Sequence, residues 1–384
     1  MEITRVQPLV LGTPWRNLTF VKVETDAGLY GLGEVRLNNR TNALLGYLSE
    51  AIPRYAIGWD PFDIEELVSR MMVMDFGRMG EITMSAVSIL EMACWDIVGK
   101  ALGQPCYRLM GGAVRDKIKA YANGWYTVER TPEAFHAASL KVVERGYLAL
   151  KIDPFGAGRY ELSLDEQARA VALIEAVRDA IGTECDIMLE MHGRFNPATA
   201  ILMARKMEHL RLAWIEEPCP PENLRELKRV ADKVDIPIAT GERLHTMNEF
   251  RPLFDLDAVD IIQPDITHFG GLALTRRLAA WADAYNVLVA PHNVGGSVST
   301  AAALHVAACT PNFMIQEHFN DFADSWVKQA APGVPEVVDG YFALPTAPGL
   351  GVELNDAIFA EHPQHEGHFN LFQDDWHRRD GVQD

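Results

Sequence analysis

Three glutamates recur at a fixed interval in similar settings. "LEMHGRF" carries Glu190, "WIEEP" carries Glu216 and "ATGERL" carries Glu242, with 26 residues between each and the next. Each lies at or just past the end of a short apolar run that reads as a strand. If one strand–helix unit fills that interval, the three carboxylates meet on one rim and repel unless a cation lies between them. A hard, oxygen-preferring divalent ion meets that need, and Mg²⁺ requires only a few carboxylates because it keeps waters or substrate oxygens. Zinc fits less well, since no paired His/Cys ligands accompany the acids. One such glutamate alone reads equally well as a strand-end salt bridge or a helix cap; three in register do not. Glu217 points away from its neighbour Glu216 on a strand and reads as a salt-bridge partner outside the site.

Other ionisable groups share the interval. His192 follows Glu190 by two residues, which puts both on one strand face. Asp265 in "IIQPDITHFGG" and His292 in "VAPHNVGG" are 27 residues apart, again one unit. A carboxylate beside an imidazole orients it and raises its pKa, which suits a general base or acid. "IQEHF" offers Glu317. "LKIDPFG" offers Lys151 and Asp153 on one face, although this pair also fits a plain strand-end ion pair. His245, His305 and His318 read as polar surface residues.

These groups need a scaffold that repeats. From Lys117 short apolar strands alternate with amphipathic helices: Ile118–Ala122, Tyr147–Ile152, Asp186–Met191, Leu212–Glu216, Ile236–Ala239, Ala258–Gln263, Val287–Pro291 and Phe313–Glu317. Eight strands with seven intervening helices predict a closed parallel barrel with its chemistry at the C-terminal strand ends. The rival, an open doubly wound sheet, would carry a glycine-rich nucleotide fingerprint after its first strand, and none is present. Residues 1–115 do not repeat. Three strands followed by helices mark them as an α+β domain. Residues 116–340 hold the barrel, and residues 341–384, with "PGLGVEL", are expected to return to the first domain.

Composition narrows the function. Fifty-three acids against thirty-five bases give a net charge of −18, which repels phosphate backbones and argues against nucleic-acid binding. The five cysteines have no CxxC or finger spacing and fit free thiols in a reducing compartment. The N-terminus "MEITRVQPLV" lacks the marks of a signal peptide. No apolar run approaches about 20 residues, so no membrane span is expected. The expected location is cytoplasmic.

The ordered series "LKID", "LEMHGRF", "WIEEP", "TGER", "QPDITHFGG", "APHNVGG" and "QEHF" resembles the mandelate racemase subgroup of the enolase superfamily, and within it the acid-sugar dehydratases of the galactonate and gluconate type. "TDAGLYGLGE" and "EMACWDIVGKALGQP" extend the resemblance into the first domain. It implies an α/β fold, a modified (β/α)7β TIM-like barrel beneath an N-terminal α+β capping domain, with Glu190, Glu216 and Glu242 as Mg²⁺ ligands. It further implies Asp265 and His292 as a dyad, His192 as the second histidine of the dehydratases, and Glu317 as a hydrogen-bonding partner of the substrate carboxylate. Two departures stand out. Mandelate racemase has Lys-x-Lys where this chain has Lys151-Ile152-Asp153, which weighs against two-base racemisation. Glu190 stands where many relatives use Asp.

The reaction so implied is dehydration of a small sugar acid of the aldonate type. His292 takes the C2 proton, His192 protonates the departing C3 hydroxyl, and a 2-keto-3-deoxy acid results; the two histidines exchange roles if the C2 configuration demands it. Lys151, Asp153 and Arg194 are the candidates for holding substrate, with Trp15 to Asn17 and Asn38 to Arg40 as candidate specificity loops. An epimerase, racemase or cycloisomerase using the same ene-diolate is the enzymatic alternative, and a non-catalytic sugar-acid binder the other. Barrels of this kind often assemble, so a homo-oligomer is expected.

Overall fold

A computed structural model describes residues 1–379. Strands β1 (Ile3–Gly12), β2 (Asn17–Thr25) and β3 (Tyr30–Val35) pair antiparallel in that order. Helix Glu81–Leu102 lies directly on β3. Gly31 and Gly33 permit this approach, because a Cβ on either would overlap a helix carbonyl oxygen, that of Ala93 or Ile89. This 22-residue helix is long and apolar enough to cross a membrane, contrary to the expectation of no such run. Its apolar surface is used here to build the core between the sheet and the barrel, with 83% of its most apolar window buried.

Eight parallel strands follow: β4 (Lys117–Ala122), β5 (Ala149–Ile152), β6 (Asp186–Glu190), β7 (Trp214–Glu216), β8 (Ile238–Thr240), β9 (Ile261–Ile262), β10 (Leu288–Val289) and β11 (Gln316–His318). Each pairs with its sequence neighbour from β4 to β10, and β11 pairs with β4. A parallel bridge between Val289 and Phe313 closes the ring. Seven helices separate the eight strands. The barrel is filled by one layer of side chains drawn from or beside each strand: Tyr121, Ala149, Met188, Trp214, Ala239, Ile261, Ala290 and Ile315. The three alanines leave room for Tyr121 and Trp214, whose rings meet edge to face at 5.6 Å across the interior.

Two buried carboxylates dock the first domain on the barrel. Glu34, at the end of β3, accepts hydrogen bonds from the Gly296 and Ser299 amides, at the N-terminus of helix Ser297–Cys309. Glu91 accepts from the Leu272 and Ala273 amides (2.9 Å each) at the N-terminus of helix Gly271–Asp283. Each meets the positive end of a helix, which offsets part of the cost of burial. Burial still pushes both carboxyls up to about 7.

The chain then turns back. Strands β12 (Val337–Val338) and β13 (Tyr341–Ala343) form a hairpin whose second strand pairs antiparallel with Lys117–Lys119 of β4. The Leu350 amide bonds buried Asp96 (2.8 Å), and Phe359 stacks edge to face on Phe20 at 5.0 Å. Residues 362–379 cross the barrel mouth as a strap. Two asparagine side chains buckle it down, each exchanging a pair of hydrogen bonds with one strap residue: Asn17 with the backbone of His365 and Asn39 with that of Phe369, all 2.8 Å.

Candidate active site

The site stands one rung above the apolar layer. Two residues along each strand, the same inward face carries Asn123, Lys151, Glu190, Glu216, Gln263, His292 and Glu317, because strand side chains alternate with period two. β8 breaks the register: Gly241 holds that rung and Glu242 follows it. The three glutamates place carboxylate oxygens within 4.8 Å of one another. Glu190 and Glu216 are buried. Lys151 Nζ fills part of the charge deficit, at 2.6 Å from Glu216, 2.9 Å from Glu317 and 3.5 Å from Glu190. Burial and then the nearby Glu216 drive Glu190 well above the carboxylate range. Burial would also raise Glu216, but the Lys151 ammonium and the neighbouring hydrogen-bonding side chains together hold Glu216 low. Glu190 Oε2 is buried without a hydrogen-bond partner, as are both amide atoms of Gln263. An unpartnered carboxylate oxygen in an all-oxygen triad fits a hard divalent cation.

Two imidazoles flank this triad, each anchored through Nδ1 to a carboxylate. His292 Nδ1 meets Asp265 Oδ2 at 2.7 Å, while the other Asp265 oxygen accepts from the Thr267 amide (2.8 Å) and hydroxyl (2.6 Å). His292 Nε2 lies 2.9 Å from Glu242. Burial disfavours the imidazolium, yet Glu242, Glu317 and Asp265 together raise His292 to about 10. His192 adopts φ 47°, a left-handed conformation rare for a residue with a side chain, as its amide bonds Glu190 Oε1 (2.5 Å). Its Nδ1 meets Asp153 Oδ2 at 2.5 Å. Arg194 bonds the same Asp153 oxygen and the Gly156 carbonyl. Burial, helped by the Arg194 charge, holds His192 below its usual value although Asp153 opposes this. The two histidines are thus pushed apart.

A cavity of about 230 Å³ opens above these groups. Lys151, His192, Glu242 and His292 reach its wall. Asp153 and Arg194 do not line it: they are buried behind His192, so their contact is with the imidazole. Glu317 is buried below the floor, where its oxygens accept from Asn123 Nδ2, the Asn293 amide and Lys151. A carboxylate so surrounded by donors acts as an acceptor. Glu217 pairs with Arg243 at 2.7 Å, and Arg243 itself lines the cavity.

Of the specificity loops, Trp15 and Asn38 line the cavity. Asn17 and Asn39 clamp the strap, and Arg40 pairs with Glu81 at 2.8 Å. The sequence reading missed Asn123, which the period-two register from Tyr121 would have found, and the strap residues Phe369, Leu371, Trp376 and Arg379, which carry no such signal. Trp376 meets the His192 ring edge to face at 5.5 Å. His305 and His318, expected at the surface, are buried. His305 bridges the Tyr107 amide and the Leu350 carbonyl, and His318 faces Asp321 at 3.5 Å. The five cysteines are free and buried, as expected of unpaired thiols.

Residues 134–358 match the family model for the enolase C-terminal domain-like fold, and residues 6–111 match that for the N-terminal domain of mandelate racemase / muconate lactonizing enzyme. The chain is 34% identical over 370 residues to D-galactonate dehydratase of Verminephrobacter eiseniae, covering 94% of each. It is 33% identical over 368 residues to D-gluconate dehydratase of Thermoproteus tenax, covering 94% of this chain and 74% of that one. Among solved structures, mandelate racemase/muconate lactonizing enzyme from Sulfitobacter sp. superposes with a TM-score of 0.90 at 32% identity, covering 95% of this chain and 96% of that one.

Proposed function

The chain belongs to the mandelate racemase / muconate lactonizing enzyme family of the enolase superfamily, and from that membership we propose that it dehydrates a sugar acid in a Mg²⁺-dependent reaction. The observation that carries this reading is the pair of imidazoles flanking the carboxylate triad, each fixed through Nδ1 so that Nε2 is the atom left for chemistry. One serves as base and the other as acid, which elimination of water across C2 and C3 requires.

Glu190, Glu216 and Glu242 would hold the Mg²⁺, which when bound supplies a Lewis acid that stabilises negative charge developing on the substrate carboxylate. His292, oriented by Asp265, takes the C2 proton; the Glu242 carboxylate that chiefly holds its imidazolium is one that a bound Mg²⁺ would claim. His192, oriented by Asp153, gives its proton to the C3 hydroxyl, and the two histidines exchange roles if the C2 configuration demands it. The C3–O bond breaks, water leaves, and the resulting enol tautomerises to a 2-keto-3-deoxy acid. Arg194 shares Asp153 with His192, so the carboxylate is already paired when the imidazole loses its proton. Lys151 and Glu317 brace the floor on which the substrate carboxylate rests. The same pair of imidazoles also suits epimerisation at C2, which product analysis separates, since only dehydration yields a keto acid that reacts with semicarbazide.

The test is proton exchange against turnover. His292→Asn should abolish exchange of the C2 hydrogen in deuterated water, while His192→Asn should keep exchange and lose dehydration. Full dehydration by both variants would sink the assignment.

A further inference from the structure

The floor of the cavity gathers carboxylates, but its roof gathers guanidinium groups. Arg36, just past β3, and Arg379, on the strap, both line the cavity. Arg16 lies behind them, 5.0 Å from the Phe319 ring that Arg379 also covers at 4.4 Å. The other charged groups on the wall have counterions: Glu81 with Arg40, Arg243 with Glu217, Lys151 with Glu216 and Glu242 with His292. Among the described residues no carboxylate comes within 4.0 Å of Arg16, Arg36 or Arg379. Arg36 Nε, Arg16 Nε and Asn38 Oδ1 are buried without any partner.

Arg379 and Arg16 each donate to a backbone carbonyl, of Gly124 and Val294, but gathering half-buried and buried cations with no carboxylate beside them is costly, and more so when they repel one another. Burial first, and then the Arg36 and Arg379 charges, pull Arg16 well below its ordinary value, against the opposing pull of Glu34 and Asp324. A neutral hydroxymethyl group, the far end of an aldonate, would leave the charges standing. A carboxylate would discharge them and accept the forked bonds that guanidinium offers.

We infer that the roof is an anion subsite, in which Arg36 and Arg379 hold a second carboxylate at the end of the substrate remote from Glu190, Glu216 and Glu242. The substrate is then a sugar diacid, an aldarate, rather than a monocarboxylic acid like those for which the D-galactonate and D-gluconate relatives are named. This rests on the dehydratase reading for its chemistry, which is unchanged: the C2 proton and C3 hydroxyl leave as water, and the product is a keto diacid. Asn38, with a free amide oxygen beside Arg36, is suited to a hydroxyl next to that second carboxylate.

The experiment pairs six-carbon aldarates with aldonates of matched hydroxyl configuration, assayed with the Mg²⁺-loaded full chain by keto-acid formation. For the best substrate pair, kcat/KM for the diacid should exceed that for the monoacid by about 10- to 100-fold, the range for a hydrogen bond to a charged group. Arg36→Gln and Arg379→Gln should each collapse that ratio, chiefly through KM, and Arg36→Lys and Arg379→Lys should restore part of it. A ratio near one, a preference for the monoacid, or a ratio untouched by the Gln variants would overturn the subsite. Calorimetric titration of His292→Asn with the same acids decides the matter separately from turnover. Tighter diacid binding that Arg379→Gln abolishes supports the subsite even if no acid is dehydrated, in which case the dehydratase reading alone fails; equal binding of both acids overturns the subsite.

Discussion

The floor and the roof of the cavity are built by opposite means. The floor is assembled from strand ends related by a short repeat, each side chain placed by the period-two register that also fills the barrel. The roof is assembled from segments with no repeat and no shared register, the β1–β2 and β3 loops and the strap, which meet only in the folded chain. The contrast in chemistry follows the contrast in construction. The floor concentrates acids around one point, held by Lys151 and by the cation we propose there, whereas the roof offers aromatic surface and arginines that, among the described residues, have no carboxylate within 4.0 Å. A site divided in this way separates what the reaction needs from what distinguishes one substrate from another.

The strongest test of that division removes one oxygen from the floor. Glu190→Gln should weaken Mg²⁺ binding by calorimetry by about 100-fold and lower turnover by about 10³-fold. The metal-free variant should melt no lower than the parent, because the lost charge is one that burial and Glu216 already disfavour. A variant that melts much lower without metal would mean that the triad is structural. A smaller effect is expected from the roof. Trp376→Ala removes the ring packed against His192 and should raise KM about 10-fold while Mg²⁺ affinity changes less than about twofold. Equal damage to both constants would erase the distinction between floor and roof.

The smallest effect lies beneath the floor, where Asp321 ties the segment after β11 to Arg145 (2.8 Å), Tyr147 (2.7 Å) and Lys328 (3.0 Å). Burial would raise this carboxyl, but His318 and Arg145 hold it well below the usual range. A depressed folded-state pKa gives stability that is complete above the unfolded value near 4 and is lost as pH falls below it. Between pH 6 and pH 3 the parent should therefore lose about 1–2 kcal/mol more stability in urea unfolding than Asp321→Asn does. Identical slopes would show that Asp321 adds no pH-dependent support to the floor.

The same contrast decides what could be read in advance. Glu190, Glu216, Glu242, Asp265 and His292 are legible because one strand–helix unit has nearly constant length, so linear spacing reports spatial convergence. The barrel itself is legible for the same reason. Asp153 is half-legible: its face is given by the alternation along β5, but its pairing with His192 depends on how β5 and β6 are staggered, with Lys151 opposite Met188. Arg194 is drawn to Asp153 by the tight left-handed turn at His192 and Gly193, which no local pattern announces. His305 and His318 look like surface residues because a histidine's burial depends on partners far along the chain, here Leu350 and Asp321. The strap is illegible altogether, since its aromatic and basic residues acquire meaning only against Asn17 and Asn39.

Those two asparagine clamps also bear on the order of folding. They join positions 348 and 330 residues apart, among the most distant contacts between the described residues. The entropy of closing so long a loop grows only slowly with length, but its contacts reward the chain only after everything between them is in place. The barrel rim can form from neighbours; the lid over it waits for the two extremities to meet. A folding molecule can therefore assemble its carboxylate rim before it has an enclosed chamber, and the roof that we infer selects the substrate is the last part completed.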